Sequence, residues 1–165
     1  MKRVVLLICF ILPTLLISAE DSYEKPIPAY SVGSNAKFYA YTFDDAYYLI
    51  LSFMDSEKYH LISNCVIKFQ LNDGSVLRLD GIDSSGQTSS ASVLVGSVIV
   101  GGSSNYHYVL IPISWDKIEK IKDGVDKVAI NTIPVVYERD SWSGKKKFGI
   151  NLYNAFKDLK KEFEP

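Results

Sequence analysis

The chain of 165 residues has two cysteines, two histidines, two tryptophans and two methionines, and each scarcity removes a class of explanation. Cys9 lies in an apolar N-terminal run, which leaves Cys65 as the one thiol of the folded part and no internal disulfide to expect. His60 and His107, far apart in sequence, and a single cysteine do not make a recognisable zinc spacing. Lys and Arg number 18 against 19 Asp and Glu, a balance without general attraction to nucleic acid or to an anionic membrane. No GxSxG or papain-like surround accompanies a serine or cysteine, so no catalytic residue is assigned. The glycines at 96, 101 and 102 lack the lysine and hydroxyl residue of a phosphate loop. Asp73, Asp80 and Asp83 lack the spacing of a calcium loop and read as turn residues. No metal or cofactor is expected, and the reading leans away from an enzyme.

An export signal opens the chain. Lys2 and Arg3 precede the apolar run Val4 to Leu16, and Ile17, Ser18 and Ala19 offer a small-residue cleavage site. The run is shorter than the roughly 20 residues a spanning helix needs. Residues 1–19 are therefore expected to be a secretory signal peptide, with the product secreted or periplasmic and no transmembrane segment left after cleavage. Residues 20–35, with Pro26 and Pro28, read as an extended N-terminal lead-in, and residues 36–165 as a single β-rich domain.

Within that domain the firmest pattern is Ser63 to Asp83. Cys65, Ile67, Phe69 and Leu71 alternate with polar or exposed positions, the period of a half-buried strand, so Cys65 reads as a buried thiol. A two-residue turn at Asp73 and Gly74 would set the apolar rows on opposite faces. A three-residue loop, with Gly74 left-handed, sets Phe69 opposite Leu77 and Ile67 opposite Leu79. This register is the one expected, in a hairpin at the centre of its sheet. A second hairpin is predicted over Ala36 to Phe43 and Ala46 to Met54, turning at Asp44 and Asp45, with its second strand buried on both sides. Ala91 to Val100 reads as one core strand bulged at Gly96, and Tyr106 to Ile113 as a strand in a further hairpin, with His107 on its apolar face.

Ser114 is placed as the cap of a short helix, Trp115 to Lys122, ending at Gly124. Strands are predicted over Val125 to Asn131, Pro134 to Arg139 and Lys145 to Ile150, the last two joined by a turn at Ser141 to Gly144. Asn151 then caps a final amphipathic helix bearing Leu152, Phe156, Leu159 and Phe163. The fold class is α+β: mainly antiparallel sheet, a sandwich or a partly open barrel, with a short internal helix and a C-terminal one. The segment Tyr108 to Thr132 resembles the closing part of small exported bacterial proteins, and no functional residue is carried over from that resemblance.

For function, Lys145, Lys146 and Lys147 read as lysines guarding an edge strand. Eleven tyrosines suit a pleated sheet surface. Trp142 falls on the expected hairpin tip, where a large ring has little to pack on. Trp142, Tyr39 and Tyr41 are thus the candidate contact residues of an exported noncatalytic binding module, whose ligand would be a protein, a glycan or a small apolar molecule. The alternatives are a cell-envelope hydrolase with a carboxylate site, which His60 beside an acid and a nucleophile would favour, and a β-cup holding an apolar ligand.

Overall fold

The computed structural model describes residues 27–83, 92–95, 98–101 and 106–163. The expected signal peptide, the first part of the lead-in and the loop 84–90 lie outside the described residues. Strand begins earlier than expected: β1 (Tyr30–Val32) pairs antiparallel with β2 (Ala36–Phe43), and Val32 is fully buried. The hairpin of β2 with β3 (Ala46–Met54) forms as its alternation predicts, with Phe43 opposite Ala46. Asp44 and Asp45 both take positive φ, 47° and 59°, which is what a two-residue type I′ turn requires.

A short strand, β4 (Tyr59–Leu61), follows, and then the hairpin of β5 (Val66–Leu71) with β6 (Val76–Asp80). Its register sets Phe69 opposite Leu77 and Ile67 opposite Leu79. The loop closes where Gly74, at φ 83°, donates its N–H to the Leu71 carbonyl at 2.9 Å. The four apolar partners all go inward, and Cys65 is buried at the head of the row. After Gly81 the chain changes sheet as β7 (Ile82–Asp83).

The expected single strand over Ala91 to Val100 is divided: β8 (Ser92–Val95) and β9 (Val98–Gly101) pair antiparallel with each other, Val95 opposite Val98, and the expected bulge at Gly96 lies outside the described residues. The next strand, β10 (Tyr106–Pro112), pairs with β3 on one side and β7 on the other, in place of the expected hairpin with its predecessor. The internal helix α1 (Trp115–Lys120) ends in a 3-10 turn, Ile121–Asp123. Ser114 precedes it in extended conformation, and its hydroxyl makes no capping hydrogen bond.

β11 (Val125–Ile130) pairs with β5, and the expected strand Pro134 to Arg139 is divided into β12 (Thr132–Pro134), paired with β4, and β13 (Tyr137–Arg139), paired with β11. The largest correction comes next. Lys145–Phe163 is a single helix, α2, so no strand runs over Lys145 to Ile150, Trp142 sits on no hairpin tip, the three lysines guard no edge strand, and Asn151 lies inside a helix. Phe148, Leu152, Phe156 and Leu159 recur three or four residues apart, and this longer stripe prevails over the local alternation of Phe148 and Ile150. Lys145 ties the first turn down, pairing with Asp126 at 2.6 Å and donating to the Asp140 carbonyl at 2.6 Å.

Two sheets share the main core. One is ordered β1-β2-β3-β10-β7 and the other β13-β11-β5-β6, so the β5–β6 hairpin has its second strand at an edge and is not the centre of its sheet. Phe38 of the first sheet meets Phe69 of the second edge-on at 5.5 Å, and both meet Phe148 of α2 in the same way. The helix thus closes the core from the open side, with Leu152 and Phe156 fully buried. The architecture is α+β, mostly antiparallel, and does not close into a barrel. Among the described residues no helix is long and apolar enough to cross a membrane.

Candidate functional site

The three sequence-predicted contact residues do not converge. Tyr39 and Tyr41 lie on the face of β2 turned away from the main core, in a smaller cluster with Ile27, Tyr48, Ile50 and Leu110. Burial raises the Tyr39 hydroxyl above the ordinary phenol range, and Tyr108 and Tyr106 add to the effect. Trp142 belongs to the other cluster: its ring is half-buried and stands edge-on to Phe148 at 5.7 Å. Its indole N–H is buried without a hydrogen-bond partner. A ring held this way is core margin, because the chain turns there into a helix that packs back on the sheets.

Both histidines meet at a residue the sequence did not single out. Asp55 follows β3, and His107 on β10 lies opposite Phe53, so the strand register brings His107 Nε2 to 3.2 Å from Asp55 Oδ2. The chain then doubles back through paired backbone hydrogen bonds between Ser56 and Tyr59, which returns His60 Nδ1 to 3.2 Å from the same oxygen. Asp55 Oδ1 accepts the Leu61 N–H at 3.0 Å. One carboxylate therefore fastens β4 to the end of the large sheet. A histidine oriented by a carboxylate is half of a hydrolytic arrangement. Among the described residues His60 has Asp55 as its hydrogen-bond and ion-pair partner. No group of three or more His, Cys, Asp or Glu among the described residues is arranged to hold a metal ion.

Beside this carboxylate lies the β4–β12 ribbon. Thr132, Ile133 and Pro134 stand opposite Leu61, His60 and Tyr59. The Thr132 hydroxyl donates to the Val135 carbonyl, which folds the chain over directly after β12. Ile133, Pro134, Val135 and Val136 are all exposed, at 56%, 44% and 47% for the isoleucine and the two valines. The next residue reverses the pattern: Tyr137 is fully buried, edge-on to Phe53 and Tyr59, and donates its hydroxyl to the Val32 carbonyl at 2.6 Å. Gly33 makes room for that bond, since a Cβ there would lie 2.5 Å from the Tyr137 oxygen, and its φ of 65° favours glycine as well.

Two cations lie against these rings. The Arg139 guanidinium lies 4.4 Å from the Tyr137 ring centre and 5.8 Å from that of Tyr59, and Lys58 Nζ lies 5.5 Å from Tyr59. A hydrogen bond from Arg139, helped by the charges of Lys58 and Arg139, holds the Tyr59 hydroxyl below its ordinary range. The ribbon, Lys58 just before it and the chain on through β13 therefore carry an apolar run, a phenol and two positive charges. What sequence reasoning could have seen was the run Ile133 to Val136 itself, too short for a buried strand after Pro134 and lacking polar alternation.

Against family models, characterised proteins and solved structures, the chain finds no match.

Proposed function

We propose that the chain is an exported, noncatalytic binding module that meets a protein partner through the β4–β12 ribbon. The observation that carries this reading is the run of four consecutive exposed apolar residues, Ile133 to Val136. Single exposed apolar residues are ordinary, but a contiguous run keeps water ordered or displaced at a cost of about 25 cal/mol per Å² and marks an interaction surface. Export rests on Lys2, Arg3 and the apolar run that follows them. Tyr39, Tyr41 and Trp142 stay secondary contact candidates, since each is packed on neighbours in the isolated chain.

The test is the triple variant Ile133→Ser, Val135→Ser, Val136→Ser. Formaldehyde treatment of the producing cells should trap the natural protein in a discrete species of higher mass. The variant should fold with an unchanged far-ultraviolet spectrum and lose that species. A variant that folds and is trapped as before removes the ribbon from the binding surface.

A hydrolase is the second reading, and the pairing of His60 with Asp55 favours it. It needs a nucleophile or an activated water at His60. Hydrolysis of a model ester abolished by His60→Gln, in a preparation whose fold is intact, would support it.

A further inference from the structure

We infer that the segment docking on the ribbon is an acidic one: a protein segment with a carboxylate set beside apolar side chains, the carboxylate seated between Lys58 and Arg139 over Tyr59. The inference rests on the binding-module reading and adds the chemistry of the partner. Pro134 stands opposite Tyr59 in the ribbon, which sets one residue of the exposed apolar run beside the ring on which the two cations lie.

No acid among the described residues forms an ion pair with either of these cations. Glu138 is engaged by Lys127 at 2.8 Å, and Asp55 by His60 and His107. Glu57 and Asp140, exposed neighbours in sequence, form no ion pair with Lys58 or Arg139 among the described residues. Arg139 instead gives one N–H to the Glu138 carbonyl at 2.9 Å, hydrogen-bonds the Tyr59 hydroxyl and lies against the aromatic rings. A guanidinium held on a ring has already lost part of its rotamer freedom, so its charge is offered to a carboxylate at a reduced entropic cost. The lowered Tyr59 hydroxyl agrees with positive potential at this spot. Apolar contact supplies affinity, and the two charges select the partner and its register.

The probe is a library of random displayed peptides selected on the full chain. Peptides that pair Asp or Glu with apolar residues should be enriched, and a synthetic copy of one should bind with an affinity that falls as salt rises. Lys58→Gln with Arg139→Gln should weaken it about tenfold or more, while the serine triple variant should abolish binding. Selected peptides without acids whose affinity ignores Lys58→Gln and Arg139→Gln would overturn the inference while sparing the binding module, whereas a preference for phosphatidylglycerol vesicles over acidic peptides that the same two substitutions remove would overturn the inference and the protein-partner reading together. Peptides that bind the serine triple variant as well as the natural chain would sink the ribbon reading, and the inference with it.

Discussion

Gly149 of α2 faces Gly124 at the end of the 3-10 turn so closely that a Cβ on Gly149 would lie 3.0 Å from the Gly124 Cα and 2.5 Å from the Ile121 carbonyl oxygen. Glycine inside a helix ordinarily costs about 1 kcal/mol against alanine. Here it lets the helix backbone approach the chain that leads into β11. Gly149→Ala should therefore destabilise the protein by about 1 to 3 kcal/mol despite the better helix propensity. Urea unfolding measures this, and a raised midpoint would show that the two backbones can separate without loss.

The same glycine explains where the sequence misled. Phe148, Gly149 and Ile150 after a Ser-rich turn satisfy a strand pattern over a short window, whereas the helix is visible only when Phe148 is joined to Leu152, Phe156 and Leu159. Ile150, the residue that completes the false alternation, is 43% exposed. The hairpins of Ala36 to Met54 and Val66 to Asp80 were legible because alternation and turn residues agree, and together they leave one register. The Asp55 cluster was not legible, because it depends on β10 joining β3 across a long stretch of intervening chain. No local pattern encodes that pairing.

Trp142 is expected to behave as a packed residue. Trp142→Ala should lower the urea midpoint, since the ring stands against Phe148 at the margin of the core. With Trp115→Phe as the background, the remaining fluorescence should be blue-shifted and shielded from a neutral quencher. Emission at the wavelength of free tryptophan would place the ring in water.

Tyr59 should ionise at lower pH than a free tyrosine, chiefly because Arg139 hydrogen-bonds its oxygen. The sign follows directly: a folded pKa below the unfolded one stabilises the fold at pH above the unfolded phenol value, and that gain is lost as pH falls through the folded value. The difference in phenolate absorbance between the natural chain and Tyr59→Phe isolates this one group. Arg139→Gln should move its midpoint upward, and an unmoved midpoint would show that the guanidinium does not reach the phenol.

Asp55→Ala should free β4 from the large sheet without unfolding the core, since it removes the acceptor of the Leu61 N–H and the shared partner of His60 and His107. Amide hydrogen exchange at Leu61 should accelerate, whereas Phe69 in β5 should keep its protection. Equal acceleration at both would mean that Asp55 holds the whole fold.

The claim that the ribbon is a contact surface is met most directly by placing a photoreactive amino acid at Val135 and, separately, at Val76, which is 60% exposed on the edge strand β6. Irradiation of the producing cells should yield one discrete adduct to another protein from position 135 and none from position 76. Adducts of the same kind from both positions, or from neither, would contradict it.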